Sequence, residues 1–351
     1  MQARVFKDLP DVSEVKDMQF QQATVITDRN GVVLYKLFEE NREYVDISNV
    51  SQYMIDALVA MEDQRYWDHE GLDPRGIFRA AITRKGGAST IPQQLMTNVF
   101  KLKAGVGASV MERAEYKLRQ ILLSKRLNSV LQKQIKLEQP TLSNDAIKRE
   151  MKRKVLELYL NYIEFGNNAF GIEAASKAYF GVSASELSIL QAAVLASLPK
   201  SPTQHSPLHE SGRKRLMGYF TVTDAAGREY PLEGEIQQHI LVKFKDAIRQ
   251  ADFSNKNSSN ASTKFLIGLG SFTFVMDGRE YYVKYINGRK DAVLSRMFED
   301  GYISEKELQQ ASIDALDLKF QSSTFHIKAP HFVFWIKDLI EQQYGREAIT
   351  K

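Results

Sequence analysis

Residues 51–66 read SQYMIDALVAMEDQRY, and this stretch decides the fold. Ile55, Leu58, Val59, Glu62 and Tyr66 fall at i, i+3, i+4, i+7 and i+11, one apolar stripe of a 3.6-residue helix. Upstream the period is different. Residues 24–27 and 32–37 are short β-prone runs joined through Asp28-Arg29-Asn30-Gly31, and Asn-Gly between two such runs signals a hairpin. Downstream the helical period continues, with helices expected over 93–100, 111–127, 145–163, 171–179 and 184–197.

Between residues 213 and 287 composition and period change again. A β-prone start at 220–223 is followed by an amphipathic stretch with Ile236, Ile240, Leu241, Phe244 and Ile248, then by a polar run over 254–263. Two further β-prone runs, 271–276 and 279–286, bracket Asp277-Gly278 and predict a second hairpin. Helical pattern resumes at Asp291, and Ser304 with Glu307 makes a capping box. The organisation expected is a hairpin segment at 1–50, a mainly helical domain over 51–212 and 288–325, an α+β insertion at 213–287, and a closing segment at 326–351.

Composition narrows the function. The 351 residues are 43% hydrophobic and 26% charged, which excludes disordered and collagen-like classes. A net charge of +4 is too small to argue nucleic-acid binding, and the basic clusters carry no recognition module, so no nucleic-acid partner is expected. The absence of cysteine rules out disulfides, thiolate metal sites and cysteine nucleophiles. No segment reaches the roughly 20 apolar residues that span a bilayer. Met1 to Pro10 lacks the layout of a signal peptide, so the expectation is a soluble protein or one separated from its anchor.

Several residues could carry chemistry. Glu62 on an apolar stripe is expected to be desolvated, which suits a general base or acid; a buried structural ion pair is the competing reading. His69 would share that face if the helix continued. Gly86 to Gln94 reads as a glycine-rich turn feeding a helix, with Ser89 or Thr90 as N-cap and Pro92 in the first turn. Such an end offers backbone N–H groups to a phosphate, although an ordinary capped helix is the commoner case. Two basic clusters follow, around Arg113 to Arg126 and Lys148 to Lys154, and in the second Arg153, Glu157 and Asn161 share a stripe. No metal-ligand spacing and no Gly-x-Ser-x-Gly motif is present.

In their order these segments resemble the peptidoglycan glycosyltransferase domain of class A penicillin-binding proteins. Glu62 to Gly71 resembles that family's Glu-Asp-x-x-Phe-x-x-His-x-Gly, Gly87 to Gln94 its Gly-Ala-Ser-Thr-Ile-Thr-Gln-Gln, and Lys152 to Asn161 its Lys-x-x-Ile-Leu-Glu-x-Tyr-Leu-Asn. Arg289 to Met297 resembles its fifth motif, so the likeness spans about 240 residues. It implies a mainly α, lysozyme-like fold with a small membrane-dipping jaw near residues 95–115. The implied reaction joins lipid II to a growing glycan chain at the outer face of the bacterial cytoplasmic membrane, with inversion and loss of undecaprenyl pyrophosphate. Glu62 would be the general base, with Asp63 and His69 among the substrate-binding residues. Ser89, Thr90, Gln93, Gln94, Asn98 and Lys117 would line the donor, and Lys152, Glu157, Asn161 and Arg289 would hold the rest of the site. Partners implied are lipid II, the nascent glycan, the membrane surface and, through 213–287, other cell-wall synthesis proteins. No cofactor is required by the sequence, and a divalent cation is left open.

The third motif departs from the family pattern. Arg-Lys-x-x-Glu is replaced by Tyr116-Lys117-Leu118-Arg119-Gln120, so Gln120 stands at the second catalytic-site glutamate. Thr97 stands where the family has a cation, and Pro92 where it has threonine. Each cation lost from a pyrophosphate site removes charge-assisted hydrogen bonds of roughly 1.5–3 kcal/mol. The alternative to an active polymerase is therefore a catalytically impaired lipid II-binding or scaffold module. A lytic, lysozyme-like enzyme would share the fold but leave the capped turn and the basic helices without a purpose. The chain ends at Lys351, and 327–334 resembles the linker that leads to a transpeptidase domain.

Overall fold

The structure is a computed structural model that describes residues 9–16, 24–37, 41–76, 78, 89–102, 105, 107–253, 266, 268–321 and 328–345. Helices dominate: α1 Ser13–Lys16, α2 Gln52–Glu62, α3 Ile91–Val99, α4 Val110–Glu138, α5 Asn144–Tyr162, α6 Ile172–Phe180, α7 Ile189–Ser197, α8 Glu210–Met217, α9 Gly234–Gln250, α10 Arg289–Glu299, α11 Glu305–Asp314 and α12 Pro330–Tyr344. The strands are β1 Thr24–Thr27, β2 Val33–Leu37, β3 Asn41–Arg42, β4 Ala169–Phe170, β5 Tyr219–Asp224, β6 Phe272–Met276 and β7 Arg279–Ile286. The fold is mainly α with small sheets, as the sequence pattern predicts. The glycines and alanine at 86–88, the polar run 254–263 and part of the expected jaw fall outside the described residues.

The chain forms two compact units. The first gathers residues 1–50, 62–184 and 323–351. Its hairpin turns where expected: Asp28 Oδ1 accepts from Asn30 N at 2.8 Å and Val32 N at 2.9 Å, and Gly31 takes φ +82°. The hairpin is covered by α12, whose Val333, Ile336 and Ile340 meet Ile26, Leu34 and Tyr35. The body of the unit is α3, α4 and α5, each packed on the other two. Leu95, Met96, Leu123, Leu127, Val155 and Leu156 are buried there.

Helix α4 is longer than the expected 111–127. Leu127, Leu131 and Ile135 continue the buried i, i+4 row, so apolar packing carries the helix another three turns through a polar-looking sequence. It starts on a capping box, Ser109 with Glu112. Helix α5 starts on Ser143, whose hydroxyl accepts from Ala146 N at 3.2 Å. Between α3 and α4 the exposed Val110 and Met111 stand on the first turn of α4.

The second unit comprises residues 51–61 and 185–322. Its centre is α7, mostly apolar, with Leu190 and residues 192–197 buried, and α8, α10 and α11 pack on it. The three-stranded antiparallel sheet runs in the order β5-β7-β6. Asp277 and Gly278 take φ +51° and +71°, the two left-handed positions of a type I′ hairpin turn between β6 and β7. An aromatic cluster sits under the sheet: the rings of Phe220, Phe244 and Tyr285 lie 5.0 Å apart, which ties α9 to the strands. Thus 213–287 is α+β in content and shares a compact unit with the helices on either side of it in sequence.

Candidate active site

The first unit brings most of the predicted residues together, starting from the end of α2. Buried Met54, Ile55, Ala57, Leu58, Val59 and Ala60 form the inner stripe of that helix. Glu62 is its last residue and is only half-buried, because the stripe ends where the helix does. Its Oε2 accepts from Gln94 Nε2 at 3.0 Å, and Gln94 Oε1 accepts in turn from the Tyr159 hydroxyl at 2.8 Å. Burial, and after it the Glu62 charge, pushes the Tyr159 hydroxyl well above its ordinary value, so it remains a donor. The amide of Gln94 therefore has one orientation, with its N–H toward the carboxylate.

Asp63 is buried and has two tasks. Its Oδ2 accepts from Ile91 N at 3.1 Å, and its Oδ1 lies 2.8 Å from His69 Nε2. Gly71 N donates to His69 Nδ1 at 3.1 Å, so that nitrogen is an acceptor and the ring hydrogen sits on Nε2, facing Asp63. His69 reaches this place from beyond the helix: α2 stops at Glu62 and a 3₁₀ turn, Tyr66–Asp68, intervenes.

Asp63 also corrects the reading of the glycine-rich turn. Thr90 stands at the N-cap of α3, but its hydroxyl does not cap; it donates to Gly71 O at 2.8 Å. The cap comes from Asp63, 28 residues earlier. Pro92 has no N–H, so the first turn of α3 offers an anion fewer backbone donors than the sequence promised.

Side-chain donors stand beside that turn. Lys117 Nζ donates to Ser89 Oγ at 2.9 Å and to Gln93 Oε1 at 2.7 Å, and burial holds its pKa below the ordinary lysine value. Gln93, fully buried, donates to Gly71 O at 2.9 Å. The departures at 97 and 120 meet: Gln120 Nε2 donates to Thr97 Oγ1 at 2.6 Å, and Thr97 Oγ1 donates to Gln93 O at 2.8 Å. Among the described residues Gln120 Oε1 is buried without a hydrogen-bond partner. Asn98 is exposed on the last turns of α3.

The residues of α5 brace the site from below. Lys152 is buried, and its Nζ donates to the carbonyls of Tyr66 and His69 while Tyr66 OH donates back to Lys152 O at 2.7 Å. Burial pushes the Lys152 ammonium down to about 8, against the opposing pull of Asp63, Glu70 and Asp68. Glu157 and Asn161 hold the chain from β3 onward: Glu157 accepts from Tyr44 OH at 2.5 Å and Ile47 N at 3.2 Å. Asn161 pairs with both backbone groups of Val45, at 2.9 and 2.8 Å. Both side chains are buried and spent on these contacts.

Arg289 lies in the second unit at the start of α10, its Nε donating to Ser197 O at 2.9 Å. The same helix supplies a residue that sequence reasoning missed. Arg296 Nη1 reaches Ala60 O at 3.4 Å and Met61 O at 3.2 Å, the open carbonyls of the last turn of α2. Tyr159 and Tyr66 were missed as well, although both lie inside the quoted motifs. Among the described residues no group of three His, Asp or Glu side chains is spaced to hold a metal ion, and no helix is long and apolar enough to cross a membrane.

The family model described as Transglycosylase matches residues 30–218. The chain is 35% identical over 271 residues to penicillin-binding protein 1A of Aquifex aeolicus (strain VF5), covering 71% of this chain and 34% of that protein. It is 25% identical over 346 residues to penicillin-binding protein 1A of Escherichia coli (strain K12), covering 97% of this chain and 29% of that one. A crystal structure of penicillin-binding protein 1A from Haemophilus influenzae aligns at 17% identity with a TM-score of 0.41, over 95% of this chain and 26% of its own. The chain thus spans about a third or less of the length of these relatives, from 34% down to 26%.

Proposed function

The chain belongs to the transglycosylase family, as a peptidoglycan transglycosylase domain of the class A penicillin-binding protein type, and from that premise we propose that it polymerises lipid II with Glu62 as general base. The observation that carries the proposal is the fixed placement of the Glu62 carboxylate. The Gln94 amide, itself oriented by Tyr159, presents an N–H to it, and the neighbouring Asp63–His69 pair ties the residues after α2 to the start of α3. A carboxylate held by a donor and left half-buried can take a proton from a sugar hydroxyl.

In this reading the 4-hydroxyl of the acceptor lipid II gives its proton to Glu62 as its oxygen attacks C1 of the donor chain. Undecaprenyl pyrophosphate leaves from the opposite face and the anomeric centre inverts. With one backbone N–H of α3 taken by Asp63 and another lost to Pro92, side chains receive the pyrophosphate, led by Lys117 next to Ser89. Lys152, Glu157 and Asn161 act as positioning residues, since their polar atoms are bound to the backbone of the site. Asn98 and Arg289 remain assigned to substrate by resemblance. The setting is the membrane surface on the extracytoplasmic side, where lipid II is presented.

The departures in the third motif are compatible with activity. By resemblance a cation at 97 and a glutamate at 120 are replaced together, and the two replacements hydrogen-bond to each other. These two losses cancel in charge, whereas Tyr116 in place of an arginine removes a further cation and leaves Lys117 as the cation beside Ser89. Incubation with lipid II in detergent tests the proposal: polymer is expected from this chain and at least about a hundredfold less from Glu62→Gln. Absence of polymer, or polymer undiminished in the variant, overturns it.

A further inference from the structure

A pocket that Glu62 does not line lies in the first unit. It has a volume of ≈ 560 Å³ and is formed by the loop after the 3₁₀ turn and the first half of α5. Trp67 lines it and is 38% exposed, so part of the indole is open to solvent at the pocket. Arg149 and Arg153, one turn apart on α5, line the facing wall. Neither forms an ion pair among the described residues; Arg153 acts only through space, on Asp46.

The other two cations in the pocket are committed. Lys148 pairs with Glu70 at 2.8 Å, and Lys152 is bound to the carbonyls of Tyr66 and His69. Asp68 and Asp145 complete the lining as acceptors, and among the described residues neither is in a salt bridge. An aromatic plate, hydroxyl acceptors and two uncommitted guanidinium groups together match one ligand chemistry. The plate takes the C–H face of a sugar ring, the aspartates take its hydroxyls, and the arginine pair takes a carboxylate through paired N–H donors.

We propose that this pocket is a subsite for a peptide-bearing unit of a glycan chain, with Trp67 under the sugar and Arg149 and Arg153 on a carboxylate of its peptide. The choice of a glycan as ligand rests on the polymerase reading above. Lys152, which lines the pocket, and Tyr159, which orients Gln94 at Glu62, lie seven residues apart on α5, about 10 Å along its axis. The pocket would hold a chain beyond the reacting rings and keep it from leaving between additions.

The protein carries its own reporter, because Trp67 and Trp335 are its two tryptophans. In a Trp335→Phe background, Trp67 emission is followed while a soluble, lipid-free N-acetylglucosamine–N-acetylmuramyl peptide with free carboxylates is added. A saturable change is expected, with affinity at least tenfold weaker for the same fragment with amidated carboxylates. A loss of the same size is expected in Arg149→Gln/Arg153→Gln, with partial recovery in Arg149→Lys/Arg153→Lys and an unchanged melting temperature in both.

Four results overturn the proposal: no saturable change, equal binding of acid and amide, indifference to the double substitution, or full competition by inorganic pyrophosphate. The fragment carries no lipid pyrophosphate and cannot be polymerised. Loss of polymerisation with intact fragment binding therefore counts against Glu62 chemistry alone, and the converse counts against this subsite alone.

Discussion

Replacing Asp63 by asparagine is the sharpest test of how the site is held. Asp63 Oδ1 faces the ring hydrogen on His69 Nε2 at 2.8 Å, and Oδ2 faces Ile91 N–H at 3.1 Å, so both partners are donors. An amide has one acceptor oxygen and would turn its N–H₂ toward one of these donors. His69 cannot adapt by moving its hydrogen to Nδ1, because Gly71 N donates there at 3.1 Å. One buried charge-assisted hydrogen bond is lost and one donor is left unpaired, which costs roughly 1.5–3 kcal/mol. For a domain of this size that is a fall in melting temperature of roughly 3–12 °C. Because the pair also aligns the residues beside Glu62, turnover of lipid II should fall by more than the stability change explains, on the order of a hundredfold for a misplacement of about 1 Å. Thermal unfolding by circular dichroism and the polymerisation assay read the two effects. An Asp63→Asn variant whose stability stays within about 0.5 kcal/mol of the parent would refute the donor-to-donor argument.

Other expectations follow from the same contacts. Lys152 has a folded pKa near 8 against an unfolded value near 10.5, so above pH 8 the unfolded chain binds more protons and stability should rise with pH toward 10; urea midpoints measured across that range should climb, and Lys152→Met should reduce the climb, leaving the part that the lowered Lys117 contributes. Thr97→Val leaves the buried Gln120 amide without its acceptor and should cost about 1–3 kcal/mol, whereas Thr97→Val/Gln120→Met removes both polar partners and should recover most of it in a double-mutant unfolding cycle. Arg296→Leu uncaps the carbonyls of Ala60 and Met61 and should lower stability by about 1 kcal/mol in the same unfolding measurement.

Much of this arrangement could be read in the sequence wherever the cause is local. The Asn-Gly and Asp-Gly hairpins, the Ser304 capping box and the starts of α5 and α6 depend on neighbours in the chain, and they appear within a residue or two of expectation. The end of α4 did not, since what extends it is packing of Leu131 and Ile135 rather than propensity. The same division runs through the site. Glu62 and Gln94 were visible as residues, but the tie between them spans 32 positions and the amide's orientation is set by Tyr159, 65 positions further on. Thr90 looked like the cap of α3 because sequence rules consider only the preceding residues, and Asp63 took that place through a contact that only folding creates. Glu157 and Asn161 were read as a stripe on one helix; that their partners would be the backbone of 45–47 could not be inferred from spacing.

The line from Tyr159 through Gln94 to Glu62 carries a further implication for how protons travel. Hydroxyl, amide and carboxylate are joined in sequence, yet the middle link is a carboxamide, which relays orientation and does not relay hydrogen ions. Along this line Glu62 is insulated from the interior of the molecule. A hydrogen ion gathered in one addition therefore does not leave through Gln94 to Tyr159, and re-arming the carboxylate for the next addition does not run along this line.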